Sequence, residues 1–326
     1  MLPLNALAVL AGQLFGIACA AGLNLYATVA VLGTAARFGL VPPLPPGLRG
    51  LSNAIVIASA AALFLAELII EKLPVLGAFW AGAHTIIRPL AAAFLTFLAF
   101  AAQPLDTRIA LAAATGIIAF AAHSAQTGLR VLLASSPRPR RTLYMALAAI
   151  ALDLVAIATA FAALLVPAAA GTIGAAAILL LAVAGPRLWR AASFGGHALI
   201  ARLGGFFGHR GWKTGGQLPR HVRRAAAAAP LGKAEPRGTR AAAVGLPRTP
   251  AYRTGWLVFD GDGPCFIARS RLAGRRTPIP LVERLEVQAG SMVDVLRASG
   301  AQAFTLFLLK DGPPAAVAAA ELAAPR

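Results

Sequence analysis

The sequence predicts an all-α polytopic membrane bundle of about six spans, followed by a small β-rich (α+β) soluble domain. Three observations lead there. The 326 residues are 58% hydrophobic and only 13% charged, against roughly 25% charged residues in soluble domains. Long stretches before residue 185 lack charge altogether. The net charge of +18 is also uneven: residues 1–185 carry +5, residues 186–249 carry +11 and residues 250–326 carry +2. A basic band just after the last apolar segment is the signature of a cytoplasmic flank attracted to anionic lipid headgroups. It lacks the aromatic and glycine patterning of a nucleic-acid module, so no nucleic-acid partner is expected.

The first uncharged segment covers residues 5–36, about 48 Å as a single helix against a hydrocarbon core of about 30 Å. It must break or overshoot, and Ala21-Gly22-Leu23-Asn24 is the favoured break. Pro42, Pro43, Pro45 and Pro46 then form a non-helical connector. A second span covers 52–70. Residues 75–87, with Trp80 and His84, are expected to be interfacial or re-entrant. Arg88-Pro89 opens a third span to residue 102, with proline in the first turn. Spans at 109–134, 143–166 and 168–185 complete the set. The loop around Pro137, Arg138, Pro139, Arg140 and Arg141 separates the first two of these. With the N-terminus inside, Lys72, Arg88, Arg138, Arg140, Arg141 and the basic band all fall on the cytoplasmic side, leaving Arg37, Arg49 and Arg108 outside. Richness in Ala, Gly, Pro and Arg points to a GC-rich bacterial genome, hence to an inner membrane protein with both termini cytoplasmic.

A faint internal repeat pairs Gly16-Ile17 with Gly116-Ile117. Each leads through alanines to a polar cluster, Gly22 to Tyr26 in one half and His123 to Gln126 in the other, and each following span carries one carboxylate, Glu67 or Asp153. Three spans per half would make the halves inverted, the 3+3 plan of many transporters.

Beyond the transmembrane domain (1–185), residues 186–208 are expected to form an interfacial amphipathic helix through Trp189, Leu203, Phe206 and Phe207. Residues 209–250 read as a basic flexible linker. Residues 251–326 read as the small β-rich domain with a C-terminal helix. Its strands are expected around Trp256 to Phe259, Cys265 to Ala268, Pro278 to Leu281, Leu285 to Val287 and Phe304 to Leu308, and Gly261-Asp262-Gly263 is a hairpin turn.

Ionisable side chains within spans are expensive, which makes them functional candidates. Asn24, Glu67, His123, Asp153 and Arg130 are the candidate ion or solute pathway. Asp153 lies near mid-span as an ion or proton carrier, or as a partner of His123 or Arg130. Arg130 can instead snorkel to headgroups, and Glu67 can be solvated near the interface or pair with Lys72. His84 near Arg88 reads as an interfacial structural cluster. Cys19 and Cys265 are packing residues, too few for a disulfide or metal framework. With no nucleophile elbow, HExxH or phosphate loop, neither an enzyme nor a cofactor is expected. The leading expectation is a secondary transporter or channel for an ion or small solute. The alternative is a membrane-anchored scaffold whose tail binds lipid or a protein.

Over residues 5–185 the chain resembles the bacterial membrane family called domain of unknown function 4126. The likeness lies in Gly22-Leu23-Asn24-Leu25-Tyr26, Glu71-Lys72-Leu73-Pro74, His84-Thr85 with Arg88-Pro89, Ala122-His123, Gly128-Leu129-Arg130 and Ser136-Pro137. Family members carry an acidic residue near Pro137-Arg138-Pro139 and a Lys where Gln126 stands. The resemblance implies the membrane fold.

Overall fold

The computed structural model describes residues 4–134, 141–207, 210–228, 235–269, 274–300 and 302–324. The chain divides into two units, Met1–Ala192 and Ser193–Arg326.

The first unit is helical. Helices α1 (Leu4–Leu23) and α2 (Leu25–Arg37) are separated by Asn24 alone, so the long uncharged segment breaks at the favoured place. A 3-10 helix, Pro46–Ser52, turns by 67° into α3 (Ala54–Ile70). The remaining helices are α4 (Pro74–Ala99), α5 (Leu105–Ala134), α6 (Arg141–Leu165) and α7 (Pro167–Phe207). Among the described residues, three helices are long and apolar enough to cross a membrane: 75–99, 105–133 and 143–165. The bent pair 46–52 and 54–70 makes four if taken as one span.

Two expectations are corrected here. Residues 75–87 are not a separate interfacial piece, because α4 runs unbroken through Pro89. Proline removes one helical hydrogen bond, which neighbouring groups in a helical bundle can replace. Likewise residues 186–208 do not form their own helix, since α7 continues through Pro186. The connector at residues 135–140 lies outside the described residues. The helix α5 is continuous, so the α1/α2 break has no equivalent in the segment the repeat pairs it with.

The interior of the helical unit is built from small residues. Ala18, Ala20, Ala21, Ala92, Ala119, Ala156, Ala160 and Ala163 are buried, whereas Ile55, Phe79, Ile86, Leu90, Phe94, Ile117, Leu147 and Leu154 are exposed. Helices in lipid gain nothing by hiding large apolar side chains from one another. Small residues let their backbones approach instead.

The second unit is an antiparallel sheet with strand order β5-β4-β3-β2-β8-β7-β6, and β1 (Lys213–Thr214) pairs off this path with β2 (Arg237–Val244). The other strands are β3 (Arg253–Asp260), β4 (Gly263–Arg269), β5 (Gly274–Pro278), β6 (Arg284–Gln288), β7 (Val293–Ser299) and β8 (Phe304–Leu309). The β3–β4 hairpin closes at Asp260↔Gly263, and Gly263 has the positive φ of 101° that this turn requires. Helix α9 (Ala315–Ala323) covers one face, closing a core of Leu257, Phe266, Ile279, Leu296, Leu306 and Leu322. Helix α8 (Arg220–Ala227) covers a second cluster by burying Val222 and Ala226, one turn apart, against Trp256, Val258, Cys265 and Ile267. Burial drives the Cys265 thiol up to about 12, and the Asp260 carboxylate adds to it, as suits a packing residue.

The flexible linker expected at 209–250 is therefore corrected: it holds β1, α8 and β2. The domain cannot begin at 251, because β2 is the strand that joins β3 to β8. The alanines at 241–243 have little strand propensity of their own and become a strand by being buried between two neighbours.

Candidate functional site

The break at Asn24 organises the polar interior of the helical unit. Asn24 adopts an extended conformation (φ −149°, ψ 100°), and its Oδ1 accepts from the Ala27 amide at 2.9 Å, the N-cap of α2. Its Nδ2 donates to Asp153 Oδ1 on α6 at 3.0 Å. Capping Ala27 from a side chain leaves the Leu23 carbonyl without the helical donor it would otherwise have, and Gly22 lies in the last turn of α1, where carbonyls lack helical donors. At Gly22 α5 also comes close: a Cβ there would lie 2.6 Å from the Ala119 carbonyl oxygen.

Arg88, near the middle of α4, takes up these carbonyls. Its Nη1 donates to Gly22 O at 2.9 Å, to Leu23 O, and to Gln126 Oε1 on α5 at 2.7 Å. Its Nη2 forms an ion pair with Glu67 Oε1 on α3 at 2.5 Å, and both side chains are only 1% exposed. Trp80 Nε1 donates to the same Glu67 oxygen at 3.3 Å. Beside them, His84 Nδ1 lies 2.8 Å from Trp80 O and its Nε2 lies 3.0 Å from the Tyr26 hydroxyl. The carbonyl can only accept, so Nδ1 carries the proton, and the Tyr26 hydroxyl, which can donate or accept, is the partner of Nε2. By the same reasoning His123 Nε2 donates to Ala81 O at 3.0 Å. Four buried atoms of this cluster, Glu67 Oε2, Arg88 Nε, His123 Nδ1 and Gln126 Nε2, have no protein partner.

The candidates thus fall into four groups. Asn24 and Asp153 are bonded to each other. Glu67 is paired with Arg88, deep in the unit, which corrects the expectation of a solvated interfacial carboxylate or a Lys72 pair. Arg130 bonds Glu71 and is 28% exposed, a boundary pair in place of free snorkelling. His123 lies beside Gln126 on α5, and Asp153 is bonded to Asn24, not to His123 or Arg130.

Arg88 and Gln126 were overlooked, and His84 with Arg88 is a buried core cluster, not an interfacial one. The missed signal was length. If Pro89 is allowed inside a helix, residues 74–99 become one 26-residue segment with its single arginine at the centre. A groove of about 290 Å³ lined by Ala30, Val31, Thr34, Ala35, Leu40 and Phe161 is apolar, and none of the polar cluster lines it.

Apolar helices, many of their large side chains outside and a hydrogen-bonded polar core inside, suggest a membrane protein. This one also carries an antiparallel-sheet domain. The chain belongs to the family described as Domain of unknown function (DUF4126), whose model matches residues 11–187 and stops short of the sheet. No curated protein and no solved structure matches the chain.

Proposed function

We propose that the helical unit moves an ion or small solute across a bacterial inner membrane as a secondary transporter or channel. The observation that carries this reading is the Glu67–Arg88 pair, almost fully buried at a broken helix. A charge pair in an apolar interior is costly and adds little stability over well-packed apolar side chains, so a pathway is the better reason for its presence. In this reading Asn24, Glu67, His123 and Asp153 line the central site and Arg130 stands at its edge. The protein is no enzyme, and it has six crossings with both termini cytoplasmic. Lys72 and the basic band support that orientation. Arg88 no longer does, because it lies mid-helix. The inverted 3+3 arrangement rests on the paired carboxylates and the Gly16 and Gly116 segments, and the continuous α5 argues against it.

The test is flux in reconstituted vesicles. Asp153→Asn keeps an acceptor for Asn24 while removing the charge, so the variant folds, and its flux of the transported ion falls at least tenfold. Unchanged flux with intact folding removes Asp153 from the pathway.

A second reading, a membrane-anchored scaffold, is favoured by one observation on the sheet unit. Ile200, Leu203 and Phe206 are exposed at three-residue spacing on α7, with Arg202 stacked on Phe206, while Arg220, Arg223 and Arg224 face outward on α8. Apolar and basic faces of this kind suit an anionic lipid surface. Flux at the level of empty vesicles, together with salt-sensitive binding of the full protein's tail to anionic lipid, would favour it.

A further inference from the structure

The α1/α2 break resembles half of a cation site. Its two freed carbonyls, Gly22 O and Leu23 O, lie at the C-terminal, negative end of α1, and the Glu67 carboxylate stands within reach of the same guanidinium. Unwound carbonyls plus a carboxylate are the donor set with which broken membrane helices hold cations. Here that place is taken by Arg88. All four acceptors, the two carbonyls, Glu67 Oε1 and Gln126 Oε1, are met by the terminal nitrogens, whereas Arg88 Nε, the atom that joins the head to its stem, has no partner. The site therefore recognises the head of the side chain and makes no use of its tether. Glu67 Oε2 and Gln126 Nε2 are left over within the same buried cluster, a second sign that the arginine does not exhaust the polar groups around it.

We infer that the α1/α2 break is a binding site for a small organic cation bearing planar N–H donors, of the guanidinium class, and that Arg88 fills it from within as a tethered occupant. The inference rests on the pathway reading above and names the chemistry of its solute. A solute of this class enters by displacing the Arg88 head, and the carbonyls and Glu67 exchange one guanidinium for another at no loss of hydrogen bonds. Ions without N–H donors, such as tetramethylammonium, cannot make that exchange.

Chemical rescue of the full-length protein tests the site. Arg88→Ala removes the head and leaves the acceptors, and melting of the purified variant is followed against added methylguanidinium, with sodium chloride and tetramethylammonium at equal ionic strength as controls. Methylguanidinium should raise the melting temperature saturably at millimolar concentration. The controls should not, and adding Glu67→Gln should abolish the effect. If the variant cannot be extracted folded, the compound is present during expression and extraction, and the yield of monodisperse protein becomes the readout. No gain over sodium chloride in either measurement, or a gain that survives Glu67→Gln, overturns the site. Methylguanidinium uptake by wild-type vesicles is measured separately. Rescue without uptake keeps the site and removes this class of cation as the transported solute, whereas flux of another ion without rescue keeps transport and removes the site.

Discussion

The two units of this chain are packed by opposite rules. In the sheet unit the large apolar side chains are inside: Leu257, Phe266, Leu296 and Leu306 are fully buried under α9. In the helical unit many of them are outside, and the interior holds alanines and a few leucines such as Leu32 together with Asn24, Glu67, His84, Arg88, His123 and Gln126. Water drives the first arrangement by expelling apolar surface. Lipid removes that drive and makes each unpaired polar group expensive, so hydrogen bonds and close backbone approach hold the second. One stability rule cannot serve both halves of the molecule.

The sharpest way to break the comparison is at the buried pair. Arg88→Leu strands the Glu67 carboxylate and should lower stability by about 3–5 kcal/mol, while Arg88→Met combined with Glu67→Leu should recover most of the loss. Melting temperatures in detergent read both. A double variant as unstable as the single one would mean that the carbonyls of Gly22 and Leu23, not the charge, set the penalty.

A matched truncation comes next. Phe266→Ala in the sheet should cost about 3–5 kcal/mol, and Ile86→Ala on the outer face of α4 should stay within about 0.5 kcal/mol. Equal losses would show that Ile86 packs against protein in an assembly instead of facing lipid.

Close approach in the helical unit is probed by Gly22→Ala. The added methyl would sit 2.6 Å from Ala119 O, so α1 and α5 must separate, at about 1–3 kcal/mol. Cysteine crosslinking between the two helices should slow accordingly, and an unchanged rate together with an unchanged melting temperature would refute the tight contact.

The smallest effect lies at Asp311 in the sheet unit. Burial alone would raise its pKa, but hydrogen bonds from Arg240 (2.8 Å) and Lys213 (2.9 Å), with their charges, outweigh this and hold it below the usual aspartate value. A depressed folded pKa contributes stability above the unfolded value, about 3.9, which is lost as pH falls through the folded pKa. Since Lys213 and Arg240 are partly exposed, the contribution is on the order of 1 kcal/mol or less. Near-UV circular dichroism of the melting sheet should therefore show Asp311→Asn less stable than wild type at pH 7, with the two converging below about pH 4. A constant gap across that range would mean the stabilisation does not depend on the Asp311 charge.

By itself the sequence determined the solvent of each half. Uncharged runs of more than twenty residues cannot be anything but apolar helices, and Asn24 beside Gly22 marked the break because a side-chain cap and a missing Cβ are local properties. The hairpin at Gly261-Asp262-Gly263 and the helix after Pro314 were legible for the same reason. The tertiary structure alone decided where the proline-containing segments continue, since Pro89 and Pro186 break or bend a helix according to what neighbouring groups supply. It also decided that the alanines of β2 form a strand, because their conformation comes from the partners on either side. The site was divided in the same way. Asn24, Glu67, His123 and Asp153 could be named from the expense of polarity in lipid, but their pairing could not. That pairing rests on Arg88, 66 residues after Gly22 in the chain, and a contact over that distance is set by how α1, α3, α4 and α5 pack around one guanidinium.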